Sequence, residues 1–310
     1  MANTKKPGCP EHLRPAADLR RRIEQVYELP PMPEMARRII ALRDDPDATV
    51  ADLAAIVELD PSLAAQVVRH ATSPYYGYRG KIRSIQDAIT RVLGFDLVLN
   101  MALGLAAVKA FRNPVEGPLG LHAFWRHAVY SACLAQALAR EVPEARRPEP
   151  GLAYLAGLLH NFGFLLLGHL FPPEFKLLNR LVAANPDKPV SALEKCVLGM
   201  GQAQDVLEMG HAALGAWLMQ HWGMPEEIVV SLREHHDPDY AGPHAVYAQL
   251  VLLTDRLLKR MGIGEACATT LPETSLEVTG LDEATCEAVL EHLREEAADL
   301  DAMVRQLTRG

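Results

Sequence analysis

Gly151-Leu-Ala-Tyr-Leu-Ala-Gly-Leu-Leu-His-Asn-Phe-Gly-Phe-Leu-Leu-Leu-Gly-His-Leu-Phe171 is the stretch whose reading decides the fold. It holds no Asp, Glu, Lys or Arg and is long enough to cross a bilayer. It also contains His160, Asn161 and His169, and no asymmetry of Lys and Arg flanks it. A helix apolar on every side is equally the central helix of a large soluble bundle. The sequence favours the buried helix, and no membrane association is expected.

Helical punctuation surrounds this stretch. Asp60-Pro61 is an N-cap followed by proline at the first helical position, opening a helix to Thr72. Ser84 caps Ile85 to Leu93, with Ile85, Ala88, Ile89 and Val92 expected on one face. Ser191 with Glu194 has the capping-box pattern. Pro225, followed by Glu226 and Glu227, opens another helix, its acids suiting the positive end of the dipole. Strand-like alternation is absent, so the fold class is all-α.

The 310 residues are 49% hydrophobic and 23% charged, ordinary for a globular protein with a real core. Net charge is −8, and the densest basic run is Arg20-Arg21-Arg22. Sequence-independent nucleic-acid binding needs clustered cations, so none is expected. Cys9, Cys133, Cys196, Cys267 and Cys286 are odd in number and widely spaced, which excludes a zinc ribbon or disulfide framework and points to a reducing cytoplasm. The opening Met1 to Pro10 does not read as a signal peptide.

Asn113-Pro114 and Gly117-Pro118 mark a break. The expected organisation is a flexible tail over 1–17, an N-terminal multi-helix unit over 18–112 and a second helical domain over 119–261. A looser stretch from Gly262 to Gly280 then leads to a C-terminal helix within 281–310. That last helix, from Asp282 to Leu307, carries Val289, Leu293, Leu300 and Val304 against an acidic remainder. It suits core packing, or else a homodimer contact.

Polar groups within apolar helices are costly unless partnered. His127, His160, Asn161, His211, His235, His236 and Asp255 all lie in such stretches, and imidazole and carboxylate are metal-ligand groups. Any one such histidine is more often a core imidazole bonded to a carbonyl. His122, His169 and His221 are expected to be core or surface residues. His70 reads as a packing residue or a C-terminal capping cation. Tyr75, Tyr76 and Tyr78 read as an aromatic anchor for their own loop. No P-loop, dinucleotide-binding glycine pattern or nucleophile motif appears, and no organic cofactor is expected.

An ordered series runs through the first unit: Leu29-Pro30-Pro31-Met32-Pro33, Asp44-Asp45-Pro46, Leu53-Ala54-Ala55-Ile56-Val57, Asp60-Pro61-Ser62-Leu63, Val67-Val68-Arg69-His70-Ala71, Ser73-Pro74-Tyr75-Tyr76-Gly77, Ser84 to Ile89 and Leu93-Gly94. From about Val26 to Arg260 the chain resembles the HDOD family, the HD-related output domains of bacterial signalling proteins. It departs at Ala71-Thr72-Ser73, where the family has an Asn-Ser pair. The histidine order resembles the ligands of the HD metal phosphohydrolases, which implies an HD-like second domain. By position, His127, His160, His211, His235, His236 and Asp255 match ligand types, while Asn161 stands where the motif has aspartate.

An amide offers one neutral oxygen where an aspartate would bridge two cations and offset their charge. Paired ions without that anion repel strongly at low dielectric. The Gly-Tyr-Pro of the cyclic-di-GMP-degrading HD-GYP class is missing after the His pair, and residue 123 is Ala where that class has Glu. The resemblance therefore implies a cytoplasmic, non-catalytic regulator working through signalling protein partners. It retains at most one divalent metal, with iron or manganese ahead of zinc or nickel. The alternative is a metal-dependent phosphohydrolase.

Overall fold

Asp60 accepts hydrogen bonds from the backbone N–H groups of Ser62 and Leu63 at 3.0 and 3.2 Å, starting the helix Pro61–Thr72 where the sequence places it. The computed structural model describes residues 29–111, 113–114, 116–198 and 210–308. The tail expected over 1–17, the start of the first helical unit and the run Arg20 to Arg22 lie outside the described residues. Every regular element among the described residues is helical.

Among the described residues the chain opens with α1 (Glu34–Arg43), α2 (Val50–Glu58), α3 (Pro61–Thr72), α4 (Ile85–Ala88) and α5 (Phe95–Ala107). Ser84 caps α4 by accepting from the Asp87 N–H at 3.0 Å. The helix then widens into a π turn over Ile89–Leu93, with the Gly94 N–H donating to the Ile89 carbonyl at 2.8 Å. That extra residue per turn moves the apolar face on by one position. Leu93 is buried where Val92 was expected, and Val92 is only half-buried.

Next come α6 (Leu121–Glu141), α7 (Pro150–Leu159), α8 (Phe162–Leu170), α9 (Pro172–Ala184) and α10 (Val190–Leu198). They are followed by α11 (His211–His221), α12 (Glu226–Glu234) and α13 (Ala245–Lys259). Helix α7 is central, packing on α5, α6, α12 and α13. The apolar stretch Pro150–Leu170 has the length and composition to span a membrane, but 94% of its most apolar window is buried inside the fold, as the sequence favoured.

It is not one continuous helix. His160 Nδ1 donates to the Gly157 carbonyl at 2.7 Å, the acceptor that the residue 161 N–H would use in an unbroken helix. The chain turns at Asn161 (φ −99, ψ 15) before α8 begins.

Two further expectations are corrected. The stretch from Gly262 to Gly280 contains a short helix, α14 (Glu273–Thr279). The terminal helix is two, α15 (Glu283–Glu295) and α16 (Ala297–Leu307), bent at Glu296. Both pack on α6, burying Leu290, Leu293, Leu300 and Val304. Tyr130 on α6 donates to the Ala297 carbonyl at 2.9 Å and to Asp301 at 3.0 Å.

The N-terminal motifs anchor in the rest of the chain. The Pro30 carbonyl accepts from the Trp222 indole at 2.9 Å, and the Tyr75 hydroxyl donates to the Cys133 carbonyl at 3.1 Å. His70 is a packing residue, not a capping cation. It lies between the Gln66 carbonyl and the Tyr154 hydroxyl, both at 3.3 Å, and burial lowers its pKa to about 4.

Candidate metal centre

Two histidines end helices in the same way. His160 follows the last residue of α7 and His235 the last residue of α12. Each turns Nδ1–H onto the carbonyl three residues earlier, Gly157 at 2.7 Å and Leu232 at 2.8 Å. That bond satisfies a carbonyl left over at the helix end and fixes the tautomer. Nε2 of each ring is left as a lone pair, and both Nε2 atoms are fully buried without a hydrogen-bond partner. Burial lowers the pKa of each, most strongly for His235, so both rings are neutral.

The remaining sequence candidates converge on this pair. Neighbouring ring centres are 4.8 Å apart for His127 and His160, 5.3 Å for His160 and His235, 5.5 Å for His211 and His235, and 4.0 Å for His235 and His236. Asp255 on α13 reaches His127 Nε2 at 3.0 Å and His160 Nε2 at 3.5 Å. Asn161 brings its amide nitrogen to 3.1 Å from His127 Nδ1. All seven residues meet in one cluster. His236 lies at its exposed edge.

Two carboxylates that the sequence did not mark as site residues belong to the cluster. Glu265, from the loop after α13, lies 3.0 Å from His127 Nδ1 and accepts from the Asn161 amide at 2.7 Å. Glu194 on α10 accepts from the His211 backbone N–H at 3.0 Å and pairs with His211 Nδ1 at 2.9 Å. It is no capping-box partner, because Ser191 lies inside α10 and the carboxylate is committed to His211.

Burial alone would lower the His127 imidazole, but Glu265 and Asp255 on its two nitrogens raise it to about 10. Burial opposes ionisation of Glu265, yet His127 beside it holds its carboxyl well below the usual range. His211 is likewise raised, Glu194 outweighing burial, and its Nε2–H faces His236 Nε2 at 2.9 Å. Charged pairs thus flank the two neutral, lone-pair imidazoles.

This donor set fits a divalent metal. Three atoms from His127, His160 and Glu265 lie within 4.8 Å of one another, and so do three from His211, His235 and His236. An unpaired buried imidazole nitrogen costs free energy that a ligated cation would recover.

A family model for the HDOD domain matches residues 29–238. The chain belongs to the HDOD family. A solved structure from Marinobacter aquaeolei VT8, of a protein assigned to signal transduction, is 38% identical. It superposes with a TM-score of 0.76 over 96% of this HDOD chain and 68% of its own. An HDOD domain protein of unknown function from Geobacter sulfurreducens is 25% identical, with a TM-score of 0.71, covering 94% of this chain and 97% of that one. An uncharacterized protein of Treponema pallidum is 24% identical over 218 residues, 70% of this chain. The HDOD chain spans 39% of that relative's length.

The HDOD match ends before Asp255 and Glu265, so part of the cluster comes from beyond it. From sequence, the amide at 161 was expected to leave the pocket short of negative charge; Glu265 and Glu194 supply it from elsewhere in the fold. Glu265 escaped notice because a lone acid in a loop has no periodicity to mark it. The nearby signal was Gly262 and Gly264, both with positive φ, 68° and 82°. At Gly264 a side chain would place Cβ 2.7 Å from His127 Nε2, so this tight approach over the cluster requires glycine.

Proposed function

We propose that this HDOD chain is a cytoplasmic bacterial signal-transduction protein that acts through protein contacts rather than catalysis. In this reading its histidine cluster holds one divalent metal. Likeness to the Marinobacter protein, assigned to signal transduction, supports the regulatory role.

The observation that carries the non-catalytic reading is closure. His127, His160, His211, His235, Asn161 and Asp255 are all buried, none more than 4% exposed. Structural metal sites are closed by protein ligands, whereas catalytic ones keep a position open to water and substrate. His160 would hold the ion through Nε2, with His127 and Asp255 beside it. Bound there, it supplies fixed positive charge joining α6 and the end of α7 to α13. Nitrogen-rich donors with one carboxylate suit iron or manganese, with zinc and nickel next.

The apolar stripe of α15 and α16 is used in packing on α6. A partner meeting that segment would find its outer acids, Glu283, Glu291 and Glu295. Affinity capture with the full chain, run beside hydrolysis assays on cyclic dinucleotides, nucleotides and generic phosphodiesters with several metals, tests the reading. A specific protein partner and no turnover are expected. Robust turnover without a partner would overturn it.

One observation favours a phosphohydrolase as the second reading. Two clefts, of about 370 and 260 Å³, reach the cluster and share Glu265 in their lining, with Arg126 in the wall of one and Arg256 in the wall of the other. An arginine beside a metal suits an anionic substrate. Phosphoester cleavage that disappears in His160→Ala would establish it.

A further inference from the structure

We propose that Glu265 is the anionic metal ligand of this centre, supplying from a loop the carboxylate that residue 161 lacks. The inference rests on the metal-holding reading above and assigns a ligand to it.

Position argues first. Glu265 touches the residue that replaces the motif acid: its Oε1 accepts from the Asn161 amide at 2.7 Å. Its Oε2 lies 3.0 Å from His127 Nδ1. The carboxylate thus enters the space that a side chain at 161 shares with His127. Of the two three-residue groups in the cluster with ligand atoms close enough to share an ion, Glu265 belongs to the one containing His127 and His160.

Charge argues next. A divalent ion among histidines is poorly compensated by neutral imidazoles and an amide. With Glu265 present, two carboxylates face the ion site, Asp255 from α13 and Glu265 from the loop. Asn161 keeps a role as the donor that orients the Glu265 carboxylate, as outer partners orient metal ligands.

Backbone design argues third. Glu265 reaches the cluster only because the chain at Gly264 runs against the His127 ring, in a left-handed conformation with no room for Cβ. A loop without a task here could pass over the clefts. Glu265 lines both of them.

The test is titration of manganese(II) into metal-free, full-length protein, reading free Mn(II) by electron paramagnetic resonance. Wild type, Glu265→Gln, Asn161→Asp/Glu265→Gln and Gly264→Ala are compared, with circular dichroism confirming that each is folded. Loss of an outer partner weakens metal affinity roughly 10–100-fold, so Glu265→Gln should weaken binding by at least about 10-fold. The double variant, which moves the carboxylate to 161, should recover most of that loss. Gly264→Ala removes no ligand atom but lifts the loop, and should also weaken binding; it carries the test if Glu265→Gln does not fold.

Affinity unchanged or tighter in Glu265→Gln, or no recovery in the double variant, would overturn the assignment. Absence of binding by wild type would overturn the metal reading itself, and the assignment with it. Those two failures are distinct on the same titration.

Discussion

Gly163→Ala should do more damage than its single methyl implies. Helices α8 and α11 meet backbone to backbone: a Cβ at Gly163 would lie 1.8 Å from the His211 carbonyl oxygen, and one at Gly215 would lie 3.0 Å from the Gly163 nitrogen. Ordinary contact begins near 3.5 Å, so the helices must part by more than about 1.5 Å. Neither side can yield by rotating a side chain. The cost should reach about 3 kcal/mol, the upper end for overpacking. The same displacement would pull His211 off Phe164, stacked at 4.0 Å, and away from Glu194 and His236.

Gly104→Ala is the control, because the three atoms nearest its Cβ would all be side-chain carbons of Leu158 and Leu155. A leucine can adjust, and alanine in a helix interior returns about 0.5–1 kcal/mol, so the net change should stay within about 1 kcal/mol. Urea unfolding of both variants, followed by circular dichroism, makes the comparison. If Gly163→Ala unfolds within about 0.5 kcal/mol of wild type, the close helix contact that positions His211 is wrong.

Glu194→Ala strips the buried partner from His211 and should cost about 3 kcal/mol, the lower end for breaking a buried ion pair, read as a lowered urea midpoint. Because His70 titrates near 4 in the fold against an ordinary 6.5, the unfolded chain takes up the proton first as pH falls. Stability from this residue is complete above pH 6.5 and declines toward pH 4, by about 3.5 kcal/mol in all at about 1.4 kcal/mol per pH unit. In His70→Leu the pH slope should flatten between those limits in thermal melts, although the variant is less stable at neutral pH. Tyr130→Phe removes the hydroxyl that holds Ala297 and Asp301. It should cost about 1 kcal/mol and speed proteolytic cutting near the bend at Glu296.

The sequence made legible what local chemistry dictates. Asp60 with Pro61, Ser84 and Pro225 mark helix starts because capping is decided within a few residues. The burial of Pro150–Leu170 followed from its lack of charge together with His160 and Asn161. The histidine order brought His127, His160, His211, His235, His236 and Asp255 to attention before any contact was known. What stayed hidden was tertiary or side-chain driven. The break at 160–161 arises from an imidazole taking the Gly157 carbonyl, in a stretch without proline. The π turn at Ile89–Leu93 shifts a face by one residue with no marker in composition. Glu194 imitates a capping residue, and Glu265 sits in an aperiodic loop; only the folded chain reveals their imidazole partners.

Elemental analysis of freshly purified protein, with His160→Ala beside wild type, tests the central claim most directly. Wild type should carry close to one equivalent of a transition metal per chain, iron or manganese foremost, and the variant should lose it while remaining folded. Metal-free wild type, or a metal content indifferent to His160, would contradict the account.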